Sequence, residues 1–253
     1  MAELDFSGRT ALITGAASGI GAACAQWLER HGAAELVLVD LDEAGLQELD
    51  LSCQAKRIVG DVSDPALWDE IESSLTQLDH AVINAGIASG CPIVDQDFDG
   101  WRRMLAVNLD GTFLGLRTSL RVMKKCGGKS AVLTSSIVGV DATAGTAAYG
   151  SSKAAIAHLA RIAAAEHTGD QIRINAIAPG RVDTPIWTKT EQFQDLEKRL
   201  GSREAALESL SDAAPLGGFA TAELMAGQIG FLLSDEAWNI TGSVLVSDGG
   251  YSL

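Results

Sequence analysis

The chain is poor in basic residues for its size. Of its 253 residues, 19 are Lys or Arg and 33 are Asp or Glu, which gives a formal net charge of −14. A chain this acidic repels nucleic acid and anionic membrane surfaces, so we expect neither as a partner. It also lacks an apolar run of about 18 residues, the length that a membrane-spanning helix needs. Residues 1–5 are largely acidic and begin no long apolar stretch, so we expect no signal peptide and a cytoplasmic location.

Cysteine and proline are also scarce. The four cysteines are widely spaced, none lies in a C-x-x-C pair, and the four histidines do not cluster near them. This spacing predicts neither a metal site nor a disulfide framework. Only 5 prolines stand against 27 glycines, and 47% of the residues are apolar. The composition therefore favours regular elements that are joined by tight turns around a sizeable core.

Short β-branched runs alternate along the chain with longer helical patterns. We predict strands at 10–14, 36–40, 57–59, 81–83, 131–133, 172–177 and 244–246. Nearly all-apolar strands that alternate with helices indicate a parallel sheet covered on both faces. Right-handed crossovers then make the sheet doubly wound. The sequence predicts one α/β domain over residues 1–253, a three-layer Rossmann fold with seven parallel strands.

Three helical segments stand out in this pattern. The first runs from about Phe98 to Lys125, and the second spans 147–167. The third, from Thr184 to Pro215, interrupts the alternation and carries apolar residues at helical spacing. A lid over a pocket and a plain connecting helix pair are equally compatible with this third segment. The first segment has an apolar stripe of period 3.6, formed by Leu105, Leu109, Phe113, Leu116, Leu120 and Met123.

A glycine-rich loop follows the first predicted strand and opens the first helix. Gly15, Gly19 and Gly21 are spaced G-x-x-x-G-x-G. Glycines at such a turn let the backbone approach a pyrophosphate, and a helix N-terminus favours its negative charge. Asp40 ends the second strand, 19 residues after Gly21, where a carboxylate accepts hydrogen bonds from ribose hydroxyls and repels a 2′-phosphate. The glycine-rich loop and Asp40 together predict that the cofactor is NAD rather than NADP, although Asp40 could instead be a turn residue before Asp42.

Tyr149 and Lys153 are four residues apart, so they face the same side of a helix. A phenol alone has a pKa of about 10 and is a poor base at neutral pH. One positive charge at about 4 Å supplies roughly 4 kcal/mol at an effective dielectric near 20, enough to lower that pKa by two or three units. The spacing therefore indicates a general acid/base, although a surface tyrosine beside a solvated lysine has the same pattern.

Together these motifs resemble the short-chain dehydrogenase/reductase superfamily over the whole chain. The resemblance rests on Tyr149 with Lys153, on residues 14–21, and on these further matches: Asp61-Val62, Asn84-Ala85-Gly86, Asn108, Ser136, Pro179-Gly180 and Asp248-Gly249-Gly250. It implies that Tyr149 exchanges a proton with the substrate oxygen and that Lys153 lowers its pKa and binds the nicotinamide ribose. Ser136 would hydrogen-bond the substrate oxygen. Asn108 would distort its helix and hold a water in a proton relay to Lys153.

The resemblance also implies a cofactor site, a substrate pocket and a homotetramer. The implied cofactor-binding residues are Gly15, Ser18, Gly19, Ile20, Gly21, Asp40, Asp61, Val62, Asn84, Ala85, Gly86, Tyr149, Lys153, Pro179, Gly180, Val182 and Thr184. The pocket residues would be Ser136, Val138, Tyr149, Ile186 and Trp187, whose mostly apolar character favours an apolar, cyclic or aromatic secondary alcohol. Arg181 could bind a carboxylate or lie at the surface. Asp248-Gly249-Gly250 would be structural, at a subunit contact.

Two other functions are compatible with the same motifs. One is an NADPH-dependent carbonyl or 3-oxoacyl reductase, which Asp40 disfavours. The other is a catalytically idle, nucleotide-binding regulatory protein built on this fold. An idle member would be expected to lose a catalytic side chain, and Asn108, Ser136, Tyr149 and Lys153 are all present. The sequence thus favours an NAD-dependent dehydrogenase that acts on a small-molecule alcohol.

Overall fold

The computed structural model describes residues 4–211 and 215–253. Residues 1–3 of the acidic start and residues 212–214 of the predicted 184–215 segment lie outside the described residues. Within the described part of the chain, no helix is both long enough and apolar enough to cross a membrane.

The strands lie within about three residues of the predicted positions. They are β1 (Thr10–Thr14), β2 (Glu35–Asp40), β3 (Gln54–Val59), β4 (His80–Ile83), β5 (Ser130–Thr134), β6 (Arg173–Pro179), β7 (Val182–Asp183), β8 (Ala220–Thr221) and β9 (Val244–Ser247). Seven of them form one parallel sheet in the order β3-β2-β1-β4-β5-β6-β9. The predicted fold class is therefore confirmed. The short strands β7 and β8 pair separately, which the sequence pattern did not predict.

Helices connect the strands and cover both faces of the sheet. They are α1 (Gly19–Arg30), α2 (Glu43–Glu48), α3 (Pro65–Ser74), α4 (Phe98–Leu105), α5 (Gly111–Cys126), α6 (Ala147–His167), α7 (Glu191–Leu200), α8 (Arg203–Ser211) and α9 (Ala222–Leu233). Successive strand residues point to opposite faces. Accordingly Leu12 lies in the core shared with α3, α5 and α6, whereas Ile13 lies in the core shared with α1 and α9.

The strand order reverses between β1 and β4. From β1 the chain moves to β2 and β3 on one side, then crosses back to β4 and continues to β5, β6 and β9 on the other. In doubly wound sheets, ligands bind in the crevice at the carboxyl ends of the strands at this switch point. Many of the predicted site residues follow these strand ends, whereas Asn108, Tyr149 and Lys153 lie on helices.

The long helix predicted from Phe98 to Lys125 is not uniform. A π-helical turn, Ala106–Asp110, separates α4 from α5. The extra residue in a π-turn rotates the helix face that follows, so one 3.6-residue period does not continue across it. The helix expected from Phe98 to Lys125 is thus interrupted at the turn that carries Asn108. Within α5, Leu116, Leu120 and Met123 are buried, whereas Phe113, from the same predicted stripe, is 47% exposed.

Candidate active site

The glycine-rich loop is fixed to the end of β4 through Thr14. The Thr14 hydroxyl oxygen accepts hydrogen bonds from the backbone N–H groups of Asn84 (2.8 Å) and Ala85 (3.0 Å). A Cβ on Gly15 would come within 2.9 Å of the Ala85 Cα and the Asn84 Nδ2. The two loops that flank the switch point are therefore in direct contact, and this contact needs glycine at position 15.

The N-terminus of α1 is built without a neutralising side chain. Ser18 occupies the N-cap position but makes no side-chain cap hydrogen bond, and the first turn (Gly19, Ile20, Gly21) carries no acidic residue. A Cβ on Gly21 would lie 1.9 Å from the Gly15 carbonyl oxygen, so only glycine fits there. Unpaired N–H groups at such an end attract an anion. This arrangement fits the pyrophosphate of a dinucleotide.

Asp40 faces this same loop from the end of β2. Its carboxylate accepts hydrogen bonds from the backbone N–H of Ala17 (2.9 Å, Oδ2) and of Asp42 (3.0 Å, Oδ1). The turn role that the sequence left open is therefore real. A carboxylate has about four acceptor positions, so two remain for ribose hydroxyls. Turn and cofactor roles are compatible at Asp40.

Asp61 and Val62 follow the end of the neighbouring strand, β3. Asp61 is exposed, and its Oδ1 accepts hydrogen bonds from the Ser63 backbone N–H (2.9 Å) and hydroxyl (2.8 Å). Val62 is buried against α5, where a Cβ on Gly111 would lie 2.8 Å from its Cγ2. Their position beside β2 puts both residues on the Asp40 side of the crevice.

Asn108 lies in the π-turn and is completely buried. Its Oδ1 accepts the Ile87 backbone N–H at 2.8 Å, and its Nδ2 lies 2.9 Å from the Ile87 carbonyl oxygen and 3.2 Å from the Ser152 hydroxyl. The side chain therefore joins the loop after β4 to α6, beside Lys153. A Cβ on Gly86 would lie 3.2 Å from the Asn108 Oδ1 and 3.4 Å from the Lys153 Nζ. Gly86 leaves the space between these two side chains open.

Ser136, Tyr149 and Lys153 meet where β5 ends and α6 begins. Ser136 comes two residues after the end of β5, and its side chain hydrogen-bonds the Tyr149 side chain. Burial raises the pKa of the Tyr149 phenol, while the Ser136 hydrogen bond acts to lower it. The Lys153 Nζ lies 5.7 Å from the centroid of the Tyr149 ring. The structure thus brings the ammonium and the phenol to the same place, but burial holds the phenol pKa above its usual value, whereas the spacing argument expected a lowered pKa.

Lys153 is almost completely buried on the inner face of α6. Its Nζ donates a hydrogen bond to the Thr134 carbonyl oxygen at 2.8 Å, and burial lowers the pKa of the ammonium to about 8. The sequence analysis missed Thr134 because a backbone carbonyl leaves no mark on residue type. It also missed Ser152, although its place between Tyr149 and Lys153 on α6 was a usable signal.

The residues after β6 reach back over the glycine-rich loop. Pro179 ends β6, and Gly180 packs so closely on Asp248 that a Cβ would lie 2.7 Å from its Cα. Val182 is buried in β7, and the buried Thr184 lies against Gly19, whose Cβ would be 3.2 Å from the Thr184 Cβ. Thr184 thus joins the predicted cofactor residues at the α1 N-terminus, whereas Val182 packs in the core behind them.

The predicted pocket residues fall into two groups. Val138 is part of a single 3₁₀ turn, Ile137–Gly139, that directly follows Ser136, so it lies beside the Ser136–Tyr149 pair. Ile186 and Trp187 belong to the segment after β7. Trp187 donates from its indole N–H to the Val182 carbonyl oxygen at 2.8 Å, and its ring packs on Phe219 at 5.2 Å. Among the described residues, no cluster of three His, Cys, Asp or Glu could hold a metal ion.

Comparison with known proteins agrees with this architecture. A family model described as enoyl-(acyl carrier protein) reductase matches residues 15–252. The cis-4-hydroxycyclohexanecarboxylate dehydrogenase of Sinomonas cyclohexanicum is 36% identical, and the alignment covers 98% of both chains. The chain belongs to the short-chain dehydrogenase/reductase family. The resemblance inferred from the motifs is confirmed, and with it an oxidoreductase that uses a nicotinamide cofactor.

Two further relatives show how varied the family is. The 2,5-dichloro-2,5-cyclohexadiene-1,4-diol dehydrogenase LinX of Sphingobium indicum is 34% identical over 98% of both chains. The crystal structure of L-sorbose reductase from Gluconobacter frateurii, complexed with NADPH and L-sorbose, superposes with a TM-score of 0.92 at 30% identity over 98% of both chains. The same fold thus serves cyclic diols and a sugar, and at least one similar structure contains NADPH.

Proposed function

We propose that this short-chain dehydrogenase/reductase transfers hydride between a secondary alcohol and NAD, with Tyr149 as the general acid/base. The observation that carries the proposal is the convergence of Asn108, Ser136, Tyr149 and Lys153 at the carboxyl end of β5, beside the switch point. Nicotinamide, when bound, supplies the hydride acceptor, and the protein supplies position and charge. The reverse reaction is reduction of the ketone.

Each of the four residues has a distinct task in this proposal. Tyr149 would act as the phenolate, a form that the positive charges of Lys153 and of the oxidised nicotinamide favour, and would take the hydroxyl proton of the alcohol. Ser136 donates a hydrogen bond to the substrate oxygen as charge develops there. Lys153 holds a positive charge near the phenol, and it also binds the nicotinamide ribose. Asn108 keeps the space beside Lys153 open and polar, so that a water there can pass the proton on from Lys153.

The cofactor that we propose is NAD, held by the strand ends on the β1–β3 side. The glycine-rich loop (Gly15, Ser18, Gly19, Ile20, Gly21) and Thr184 contact the pyrophosphate, and Asp40 binds the adenine ribose. Asp61 and Val62 contact the adenine, the Asn84-Ala85-Gly86 turn lies beside the ribose, and Pro179, Gly180 and Val182 border the nicotinamide. The negative charge of Asp40, for which the described residues show no ion pair, supports NAD over NADP.

The substrate class that we propose is a cyclic secondary alcohol. The residues around the proposed pocket, Val138, Ile186 and Trp187, are apolar, and the two curated relatives described above are named for six-membered-ring alcohols. We propose that the segment 184–215, of which the structure describes 184–211 and 215, acts as the lid of this pocket. The pairing of β7 with β8, which joins the chain before and after the segment, and the contact of the Trp187 ring with Phe219 support this proposal.

A homotetramer is the proposed assembly, as the resemblance implies. Phe113 on α5 and Ile162 on α6 are both more than 40% exposed, and they border one shallow groove with Leu109 and Leu159. Such an apolar face on two long helices suits pairing with a second copy. Size-exclusion chromatography with light scattering tests the assembly. The cytoplasmic location expected from the sequence stays a prediction.

The test of the function is absorbance at 340 nm with purified protein. NAD and NADP are each supplied with a panel of cyclic, aromatic and open-chain secondary alcohols, and the reduced cofactors with the matching ketones. We expect turnover with NAD and cyclic alcohols. The Tyr149→Phe variant, which lacks only the hydroxyl, should lose at least about 100-fold in turnover while it still binds NAD. Retained turnover in that variant would remove Tyr149 from the mechanism.

A second candidate is an NADPH-dependent reductase of a carbonyl or of an acyl group on a carrier protein. The description of the matching family model and the NADPH in the L-sorbose reductase structure favour it. The net charge of −14 disfavours it, since an acidic carrier protein would be repelled. Faster ketone reduction with NADPH than with NADH, in the same panel, would replace the first proposal with this one.

A further inference from the structure

Arg181 stands at the carboxyl end of β6, next to the proposed catalytic residues. It follows Pro179 and Gly180, and β6 is the strand beside β5, from which Ser136 emerges. Neighbouring strands lie about 4.8 Å apart. Its backbone carbonyl accepts the Ala220 N–H at 2.9 Å, which fixes the start of the side chain at the base of the proposed lid.

The Arg181 guanidinium is oriented by one of the two tyrosines in the chain. Its Cζ lies 5.0 Å from the centroid of the Tyr251 ring. Tyr251 comes after β9, at the edge of the sheet beyond β6, whereas the glycine-rich loop follows β1, three strands away in the other direction. The stacking therefore turns the guanidinium away from the pyrophosphate side of the crevice. The guanidinium is therefore positioned for a ligand other than the pyrophosphate.

The positive charge of Arg181 is not satisfied within the described residues. Its Nη1 is buried and has no hydrogen-bond partner. Two carboxylates beside Arg181, those of Asp183 two residues on and of Asp248 against Gly180, already have partners. Asp183 pairs with Arg203, and Asp248 accepts the backbone N–H groups of Gly250 and Ser252. A buried donor without a partner is costly, and guanidinium is a preferred binder of carboxylate.

We infer that Arg181 binds a carboxylate of the substrate, so that the substrate is a hydroxy acid or oxo acid whose carboxylate is remote from the reacting carbon. This inference rests on the proposed function and narrows it. Ser136 and Tyr149 hold the reacting oxygen, and Arg181 holds the opposite end of the molecule. A neutral alcohol of the same ring size leaves Arg181 unpaired and binds less well, because the site was built for the missing group.

The first measurement compares matched alcohols in the wild-type enzyme. 4-Hydroxycyclohexanecarboxylate, its methyl ester and 4-methylcyclohexanol share the ring and the hydroxyl but differ in charge. We expect kcat/KM for the acid to exceed that for both neutral analogues by about 10- to 100-fold, the range of a charge-assisted hydrogen bond. Equal values for all three alcohols would overturn the inference while leaving the dehydrogenase function intact.

The second measurement uses variants. Arg181→Gln should lower kcat/KM for the acid by about 10- to 100-fold, mainly through KM, and should leave the neutral alcohols within about 3-fold. Arg181→Lys should restore part of the loss, since it keeps a charge but not the planar fork. Arg121→Gln, which removes an exposed arginine paired with Glu72, is the matched control. It should change kcat/KM neither for the acid nor for the neutral alcohols. An equal loss for acid and neutral alcohols would overturn the inference.

The third measurement does not need turnover. Cyclohexanecarboxylate has no hydroxyl to oxidise, so in the presence of NAD it should raise the melting temperature of the wild type and of Tyr149→Phe, but not of Arg181→Gln. If no alcohol is turned over but this shift in melting temperature appears, the proposed dehydrogenase function is wrong and the carboxylate site at Arg181 is supported. If Arg181→Gln instead raises only the KM for NAD, or changes the oligomer seen by light scattering, Arg181 belongs to the cofactor or to a subunit contact and the inference is wrong.

Discussion

The Lys153 ammonium donates its hydrogen bond to the Thr134 carbonyl oxygen, at 2.8 Å, and lies 5.7 Å from the centroid of the Tyr149 ring. The lysine side chain is 3% exposed, and burial lowers the pKa of the ammonium to about 8. Against the usual 10.5, this shift corresponds to about 3 kcal/mol of cost for holding the charge at neutral pH. The positive charge of Lys153 therefore serves the proposed reaction but lowers the stability of the fold.

Lys153→Met should separate these two demands. Methionine has a similar length and no charge, so the desolvation cost disappears, whereas the Thr134 carbonyl loses a hydrogen bond of about 1 kcal/mol. We expect turnover to fall at least about 100-fold while the free energy of unfolding stays equal or rises by up to about 2 kcal/mol. Urea unfolding at pH 7 without cofactor measures the second quantity.

The pH dependence of the same variant provides its control. A lysine whose folded pKa is depressed costs stability below about pH 8, and this cost disappears as the pH rises toward the unfolded pKa near 10.5. The wild type should therefore gain stability relative to the variant as the pH rises between these values. A variant that is less stable than the wild type by more than about 1 kcal/mol at pH 7 would show that the ammonium stabilises the fold.

Gly86→Ala should impair catalysis with little effect on folding. The added Cβ would lie 3.2 Å from the Asn108 Oδ1 and 3.4 Å from the Lys153 Nζ, and it fills the open space between them. We expect turnover to fall by about 10- to 100-fold through displacement of the relay. Gly169→Ala, where the new Cβ meets nothing within 4 Å, is the matched control. Wild-type turnover in Gly86→Ala would mean that this space is not used.

The seven strands and the loops at their carboxyl ends could be predicted because both depend on patterns that residue type records. Apolar runs gave the seven strands, and the glycine spacing with Asp40 marked the loops at their carboxyl ends. Helix α6 was predicted with its observed bounds. The distortion of the helix at Asn108 was expected only from the family resemblance. Residue pattern alone does not predict it, because the Asn108 side chain is held by hydrogen bonds to Ile87 and Ser152, which are distant in sequence.

The rest depends on contacts that leave no sequence pattern. β7 and β8 have two residues each, too few for a periodicity, and they pair across 36 intervening residues that include 212–214. The bond of Lys153 to Thr134 ends on a backbone carbonyl, so no residue type signals it. The same applies to the position of the Lys153 ammonium relative to Tyr149, because helical spacing fixes the shared face of two residues but not which acceptor a flexible side chain reaches.

Asp40→Ser should relax the preference for NAD. The variant removes the charge that would repel a 2′-phosphate, and the serine hydroxyl can still accept one backbone hydrogen bond. We expect the ratio of kcat/KM for NAD to that for NADP to fall by about 10- to 100-fold. Asp42→Ser, which changes the nearby N-cap residue of α2 to another good cap, is the control. An unchanged ratio in Asp40→Ser would place the selectivity elsewhere.

His80 sits at the opposite, amino-terminal edge of the sheet and is 2% exposed. The Ser130 hydroxyl donates to the Leu233 carbonyl oxygen at 2.8 Å, so it must accept from the His80 Nδ1, 2.9 Å away. The neutral ring therefore carries its proton on Nδ1. Protonation of the second nitrogen would place a charge in the core beside Phe6, and burial accordingly lowers the pKa of His80 to about 4.

This buried ring should make the enzyme sensitive to mild acid. Since the folded pKa lies below the unfolded value of 6.5, the stability is fully present above pH 6.5 and is lost as the pH falls toward 4, by up to about 3 kcal/mol. Urea unfolding of wild type and His80→Asn at pH 7.5, 6 and 5 measures this loss. At pH 7.5 His80→Asn should have a lower free energy of unfolding than the wild type, but this free energy should fall less as the pH is lowered. His158→Gln, which changes an exposed histidine, should show the same pH dependence as the wild type. Parallel curves for wild type and His80→Asn would assign the acid sensitivity to other groups.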